Sequence, residues 1–170
     1  MTCHDNDNHF LEHPAVYFAK HWMALQKHRR SLAQSIQSQP LLAVCLCAEW
    51  CAVCRDFKPE YHALAQQHPE TLFAYLDIED DEALTGALEL DNFPALAVFR
   101  DDTLIHFSVT KAKRDNIARL LRKLIASPPQ PLMPPLALLP LCDAVCRGAD
   151  IVARTSEAPS GKHFSGAKHR

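Results

Sequence analysis

Two cysteines three positions apart, Cys51 and Cys54, follow directly on the apolar run Leu41-Leu42-Ala43-Val44-Cys45-Leu46-Cys47 and the link Ala48-Glu49-Trp50. Thiols one helical turn apart can exchange with a disulfide, one sulfur attacking and the other resolving the mixed disulfide that results. The attacking sulfur has to be a thiolate. The unbroken run 41–47 predicts a strand buried on both faces, and Cys54, Phe57, Tyr61, Leu64 and Ala65 fall at helical intervals. A strand therefore delivers Cys51 to a helix N-terminus, where unpaired N–H groups and the positive end of the helix dipole favour the thiolate. Cys54 is then the resolving thiol. Metal binding is a second use of the same residues: Cys45, Cys47, Cys51 and Cys54 are zinc ligands in type, but a strand followed by a helix start splays the first two away from a tetrahedral set.

The elements that must hold this pair can be read on both sides of it. Residues 1–13 contain Cys3, His4, His9 and His13 and read as a solvated terminus, with a soft-metal site as the alternative. Phe18, Trp22, Leu25, Leu32 and Ile36 predict helix between 14 and 38, in one or two pieces, with an edge strand over 15–19 left open. The basic patch Lys27-His28-Arg29-Arg30 reads as a solvated helix face. After the cysteine pair the helix runs to about Gln67 through Pro59, which should kink it. A strand over 71–76 leads into the acidic turn Asp77-Ile78-Glu79-Asp80-Asp81-Glu82 and a short helix with Leu84, Ala87 and Leu88 on one face. Strands over 95–99 and 103–107 joined at Asp101-Asp102 form a hairpin. Ile117, Leu120, Leu121, Leu124 and Ile125 make 114–126 an amphipathic helix. Six of the 12 prolines then lie between 128 and 140, which excludes a regular helix or central strand over that stretch. A short helix over 141–153 carries Cys142 and Cys146, as two semi-buried residues or as a thiol shuttle to the site, and 154–170 reads as disordered. The division is an extension over 1–39, a domain over 40–126 and a strap, helix and tail over 127–170.

Bulk properties narrow the class further. With 170 residues, 48% of them hydrophobic, the chain can bury a core, and a net charge of −2 with interspersed basic residues argues against nucleic acid as a partner. The opening residues lack a basic and apolar leader and no run is long enough to span a membrane, so the expected address is the cytoplasm. Seven cysteines, an odd number, speak against a fully paired disulfide framework and for redox or metal chemistry.

The order of strand, Trp-Cys-x-x-Cys, proline-containing helix, strand, short helix, apolar-Pro step, hairpin and final helix resembles the thioredoxin family, of bacterial type, over roughly residues 41–126. Ala48-Glu49-Trp50-Cys51, Pro59, Leu76-Asp77-Ile78-Glu79 and Phe93-Pro94-Ala95-Leu96 carry the resemblance. It implies an α/β thioredoxin-like fold, a central mixed sheet flanked by helices. It also implies thiol-disulfide oxidoreductase chemistry at Cys51 and Cys54, with no cofactor beyond the redox-active disulfide. Pro94 is then a cis proline facing the pair, with Trp50, Phe93 and Pro94 positioning a substrate strand. The implied partners are protein thiols and disulfides and a thioredoxin reductase-type reductant, acting on a monomer.

The surroundings depart from the family. Cys45 stands where the family has a buried aspartate, Tyr75 where it has a lysine, Cys47 where many members have a tryptophan, and Ala52-Val53 replace Gly-Pro. Loss of the carboxylate removes a proton relay behind Cys54. Cys45, beneath Cys54, and Arg55, beside it, are candidates for tuning the pair. A non-enzymatic adaptor that holds a client through its proline-rich tail is the alternative function.

Overall fold

The computed structural model describes residues 14–36, 40–86, 88–90 and 92–147. Residues 1–13, with their candidate metal ligands, and the tail from 148 lie outside the described residues.

Alternation and apolar content place four strands among the described residues: β1 (Leu41–Cys47), β2 (Leu72–Asp77), β3 (Ala95–Arg100) and β4 (Thr103–Val109). They form one sheet in the order β2-β1-β3-β4, with β2 parallel to β1 and the rest antiparallel. β1, hydrogen-bonded on both sides, is wholly buried, which is why its sequence has no polar member. The helices α1 (Trp22–Ile36), α2 (Ala52–Gln67), α3 (Glu82–Thr85), α4 (Arg114–Ala126) and α5 (Leu139–Arg147) cover it. This is the thioredoxin-like arrangement that the resemblance implied.

The period-two alternation of β1 divides the core in two. Leu42, Val44 and Leu46 face Trp22 and Leu25 of α1, Leu84 of α3, and Leu138, Leu141, Ala144 and Val145 of the C-terminal segment. Ala43, Cys45 and Cys47 face Phe57, Tyr61 and Leu64 of α2 and Ile117 and Leu121 of α4. The helix expected over 14–38 begins as a short 3-10 turn at Ala19–His21 and becomes α1. The stretch before it forms an edge contact on β2: Tyr17 N donates to Phe73 O and Tyr75 N to Tyr17 O, each at 2.8 Å.

Two expectations are corrected, and the strap after α4 gains a definite course. The short acidic helix is a single turn, because Gly86 leaves it at a φ of 62° and Pro140 crowds the spot, its Cγ 2.8 Å from where a Cβ would stand. The patch 27–30 is not uniformly solvated: Arg29 is buried, and its guanidinium donates to Val145 O at 3.4 Å and pairs with Asp102 at 3.5 Å. The proline-rich segment crosses the edge of β4, where Leu132 N donates to Leu104 O at 2.8 Å, and α5 docks on the α1 face. There Trp22 Nε1 and Gln26 Nε2 donate to Ala144 O at 3.3 and 3.1 Å, occupying a carbonyl near the end of α5 that its own helix leaves open. Among the described residues no helix is long and apolar enough to cross a membrane.

Candidate functional site

The pair sits where β1 gives way to α2. Cys51 is the N-cap of α2 and half-buried, whereas Cys54, one turn in, is fully buried. Short local bonds shape the loop before them: Cys51 N donates to Ala48 O at 3.0 Å, and Arg55 N to Cys51 O at 3.1 Å. The Arg55 guanidinium donates to Glu49 O at 2.8 Å, so its charge braces the loop. From the other side, the Asp77 carboxylate accepts Glu49 N at 2.7 Å and Glu79 N at 2.8 Å. The acidic turn thus does more than complement a helix dipole: it ties the exit of β2 to the cysteine loop.

Trp50 is exposed, with its Nε1 donating to Glu79 Oε1 at 2.9 Å and its ring edge-on to Phe93 at 5.6 Å between centroids. The Phe93–Pro94 bond is cis, and Phe93 packs against the same cluster as Cys51. Trp50, Cys51, Phe93 and Pro94 are thereby gathered on one rim. Val53, also exposed, extends its apolar surface.

Beneath the rim lies sulfur. Cys45 and Cys54, which the sequence expects to lie near one another, belong to one buried cluster, and Cys47, two positions further along the same strand face, belongs to it as well. Cys47 and Cys45 hydrogen-bond with one another, Sγ to Sγ at 3.6 Å, and both are buried in the cluster that also holds Cys54 and Tyr75. The bond to Cys45 and then burial push the Cys47 thiol far above the ordinary range. Burial does the same for Cys54. Tyr75 is pushed up as well, by burial. Carboxylates are missing from this inner group, so the proton of Cys54 is surrounded by groups that hold their own protons tightly.

Sequence reasoning passed over Asp77 and Glu79 as parts of the site, and it named Tyr75 only as a departure from the family and Cys47 only as such a departure and as a zinc ligand in type. The signal for Cys47 was present, since residues two apart on a strand share a face and 47 is the nearer to the helix. Lys58 was missed too: its Nζ lies 5.2 Å from the Phe18 ring centroid and 5.0 Å from that of Tyr75, covering a phenol of the same cluster. Among the described residues no group of three or more His, Cys, Asp or Glu side chains is arranged to hold a metal ion. Cys142 and Cys146 lie on α5, which packs on the opposite sheet face, so the thiol shuttle considered for them has the sheet between its ends. Cys146 donates to Asp102 O at 3.3 Å.

The family model for thioredoxin matches residues 23–123. The chain belongs to the thioredoxin family. Among curated relatives it is 31% identical over 64 residues to thioredoxin domain-containing protein 2 of Rattus norvegicus, covering 38% of this chain and 12% of that protein. It is 26% identical over 99 residues to thioredoxin H-type of Picea mariana, covering 58% and 78%. A solved poplar thioredoxin h superposes with a TM-score of 0.51 at 17% identity, over 67% of this chain and 99% of that one. That likeness bears on the fold. The chain spans about an eighth of the length of the first of these relatives.

Proposed function

We propose that this thioredoxin-family chain is a thiol-disulfide oxidoreductase for protein substrates, working through reversible oxidation of Cys51 and Cys54. The observation that carries the reading is the difference in access within the pair. Cys51 is open to solvent at the N-cap of α2, and Cys54 is closed off one turn behind it. Cys51 attacks a substrate disulfide, whose leaving sulfur departs as a thiol, and Cys54 then attacks the Cys51 sulfur of the mixed disulfide. The substrate is released reduced and the Cys51–Cys54 disulfide remains. Trp50, Phe93 and the backbone at Pro94 form the rim against which an extended substrate strand would lie. No cofactor is needed beyond the pair, and a dithiol reductant of the reductase type restores it. Such chemistry suits a reducing compartment such as the cytoplasm.

The adaptor alternative is weakened by the tail, whose Leu138, Leu141, Ala144 and Val145 are spent on the chain's own core. Insulin reduction coupled to dithiothreitol tests the reading. Cys51→Ser should lower turnover to the uncatalysed rate, and turnover equal to wild type would sink the mechanism. Cys54→Ser should accumulate mixed disulfides with protein substrates, visible by mass spectrometry.

A further inference from the structure

The residues on either side of Tyr17 build something the redox pair does not use. Tyr17 N donates to Phe73 O and Tyr75 N to Tyr17 O, each at 2.8 Å, so this stretch runs beside β2 as extended chain. Alternation then sends Tyr17 to the α1 side of the sheet and Val16 and Phe18 to the α2 side. Between these two residues, α2 and Tyr75 lies a hollow of about 300 Å³, at the lower end of the range of small-molecule sites. Val16 and Phe18 stand before the family's residues 23–123, so the extension supplies one wall. The rim formed by Trp50, Phe93 and Pro94 takes no part in it.

The hollow is apolar within and basic at its mouth. Val16, Tyr61 and Tyr75 are buried and Phe18 is half-buried, its ring edge-on to Tyr75 at 6.1 Å between centroids. The Tyr61 hydroxyl is taken up by Ala43 O and Ala74 O at 2.8 and 3.1 Å, which leaves its ring for the hollow. The exposed members of the lining are Arg55, Lys58 and His62, spaced i, i+3, i+7 and therefore on one face of α2. Arg55 gives one nitrogen, Nη1, to Glu49 O at 2.8 Å, and the remaining donors of its fork are left for an anion. Lys58 Nζ stands over the Phe18 and Tyr75 rings at 5.2 and 5.0 Å. Among the described residues none of the three is in an ion pair. The nearby acids, Glu49, Asp77, Asp80 and Asp81, line an adjoining hollow beyond Lys58 and Tyr75. There Asp77 accepts Glu49 N and Glu79 N, and Asp81 accepts Asp77 N at 2.7 Å. They repel an anion on that side and direct it to the end of the hollow that holds Arg55 and His62.

We propose that this hollow binds a small aromatic carboxylate, its ring against Phe18, Pro59 and Tyr75 and its carboxylate at Arg55, Lys58 and His62. The aromatic body follows from the ring-lined walls, which favour edge-on or offset contact with another ring. The carboxylate follows from the guanidinium, whose planar fork matches it, and from the unpaired ammonium beside it. A phosphate ester carries its charge in a larger hydrated head and would leave the apolar walls unused.

Titration of the reduced, ¹⁵N-labelled full chain with naphthalene-2-carboxylate tests the site. The expected result is a saturable set of amide shifts confined to residues 16–18, 55–62 and 75, with a dissociation constant of about 1 mM or below, which a ligand of this size reaches at ordinary efficiency. Naphthalene-2-carboxamide, the same shape without the charge, should bind about tenfold more weakly. Lys58→Glu should weaken the carboxylate by about tenfold or more through like-charge repulsion and leave the carboxamide as in wild type, so that an altered fold is told apart from an altered charge. Shifts that do not saturate or that cluster elsewhere, equal affinity for the carboxamide, or a carboxylate affinity unchanged in Lys58→Glu each overturn the proposal.

Discussion

The sheet face toward α2 and α4 and the face toward α1, α3 and α5 are built from alternate residues of the same strands, but they are closed in different ways. The first gathers the thiols and phenols Cys45, Cys47, Tyr61 and Tyr75 in one cluster with the pair Cys51 and Cys54. The second is lined by aliphatic residues together with Tyr17, Trp22 and Phe99, and is sealed by a segment that follows α4 in the chain. The difference separates two tasks. Removing atoms from the sealed face should change stability and leave the chemistry alone, whereas changes on the thiol face should alter proton and disulfide equilibria with smaller effects on the fold.

Leu141→Ala is the largest expected break in that comparison. Its side chain is fully buried under α1 and α3, so unfolding in denaturant should show a loss of about 2–5 kcal/mol, with the Cys51–Cys54 reduction potential unchanged. An equal shift in the potential would show that the two faces are coupled. Gly86→Ala comes next. At a φ of 62° with Pro140 against the missing Cβ, the substitution should cost about 1–3 kcal/mol and loosen α5, which trypsin digestion would register as earlier cleavage in the tail.

On the thiol face the expected effect is one of pH. Cys47 and Cys54 in the folded, reduced protein keep their protons far above the ordinary thiol value of 9.0, while the unfolded chain releases them near it. The folded state therefore binds more protons than the unfolded one above that value. The stability contribution of these thiols is complete below pH 9.0 and declines as the pH rises beyond it, by up to about 1.4 kcal/mol per pH unit for each thiol. Thermal melts of the reduced protein from pH 8 to 10.5 should show this decline, and Cys47→Ala should make it shallower. A slope unaffected by that substitution would remove Cys47 from the account. The smallest effect belongs to Asp102→Asn on the sealed side. The carboxylate that meets Arg29 is 63% exposed, so its loss should stay within about 1 kcal/mol.

Much of the fold and of the site is legible in the order of the amino acids. β1 falls at 41–47 and α4 at 114–126 where periodicity puts them, and α2 ends at Gln67 before His68-Pro69, because each pattern is local and strong. The weaker readings fail where a distant segment intervenes. The helix after the acidic turn stops at Gly86, which leaves it at a φ of 62° with Pro140 packed where a side chain would stand. Arg29 looks like part of a charged surface until α5 brings Val145 O, and the turn between β3 and β4 brings Asp102, to it. Cys47 looks like a replaced tryptophan, and its burial in one cluster with Cys54 depends on how the end of β1 meets the first turn of α2.

The sequence by itself determined the redox pair, the elements on either side of it and the family to which they belong, since these follow from residues near one another in the chain. Only the tertiary structure decided that Cys45 and Cys47 are buried in one cluster with Cys54, which basic residue is buried, and that the proline-rich tail closes the core instead of extending from it. Each of those depends on the meeting of segments that no single helix or strand contains. Such meetings are selected by packing of the whole core, which no local pattern of apolar and polar residues encodes.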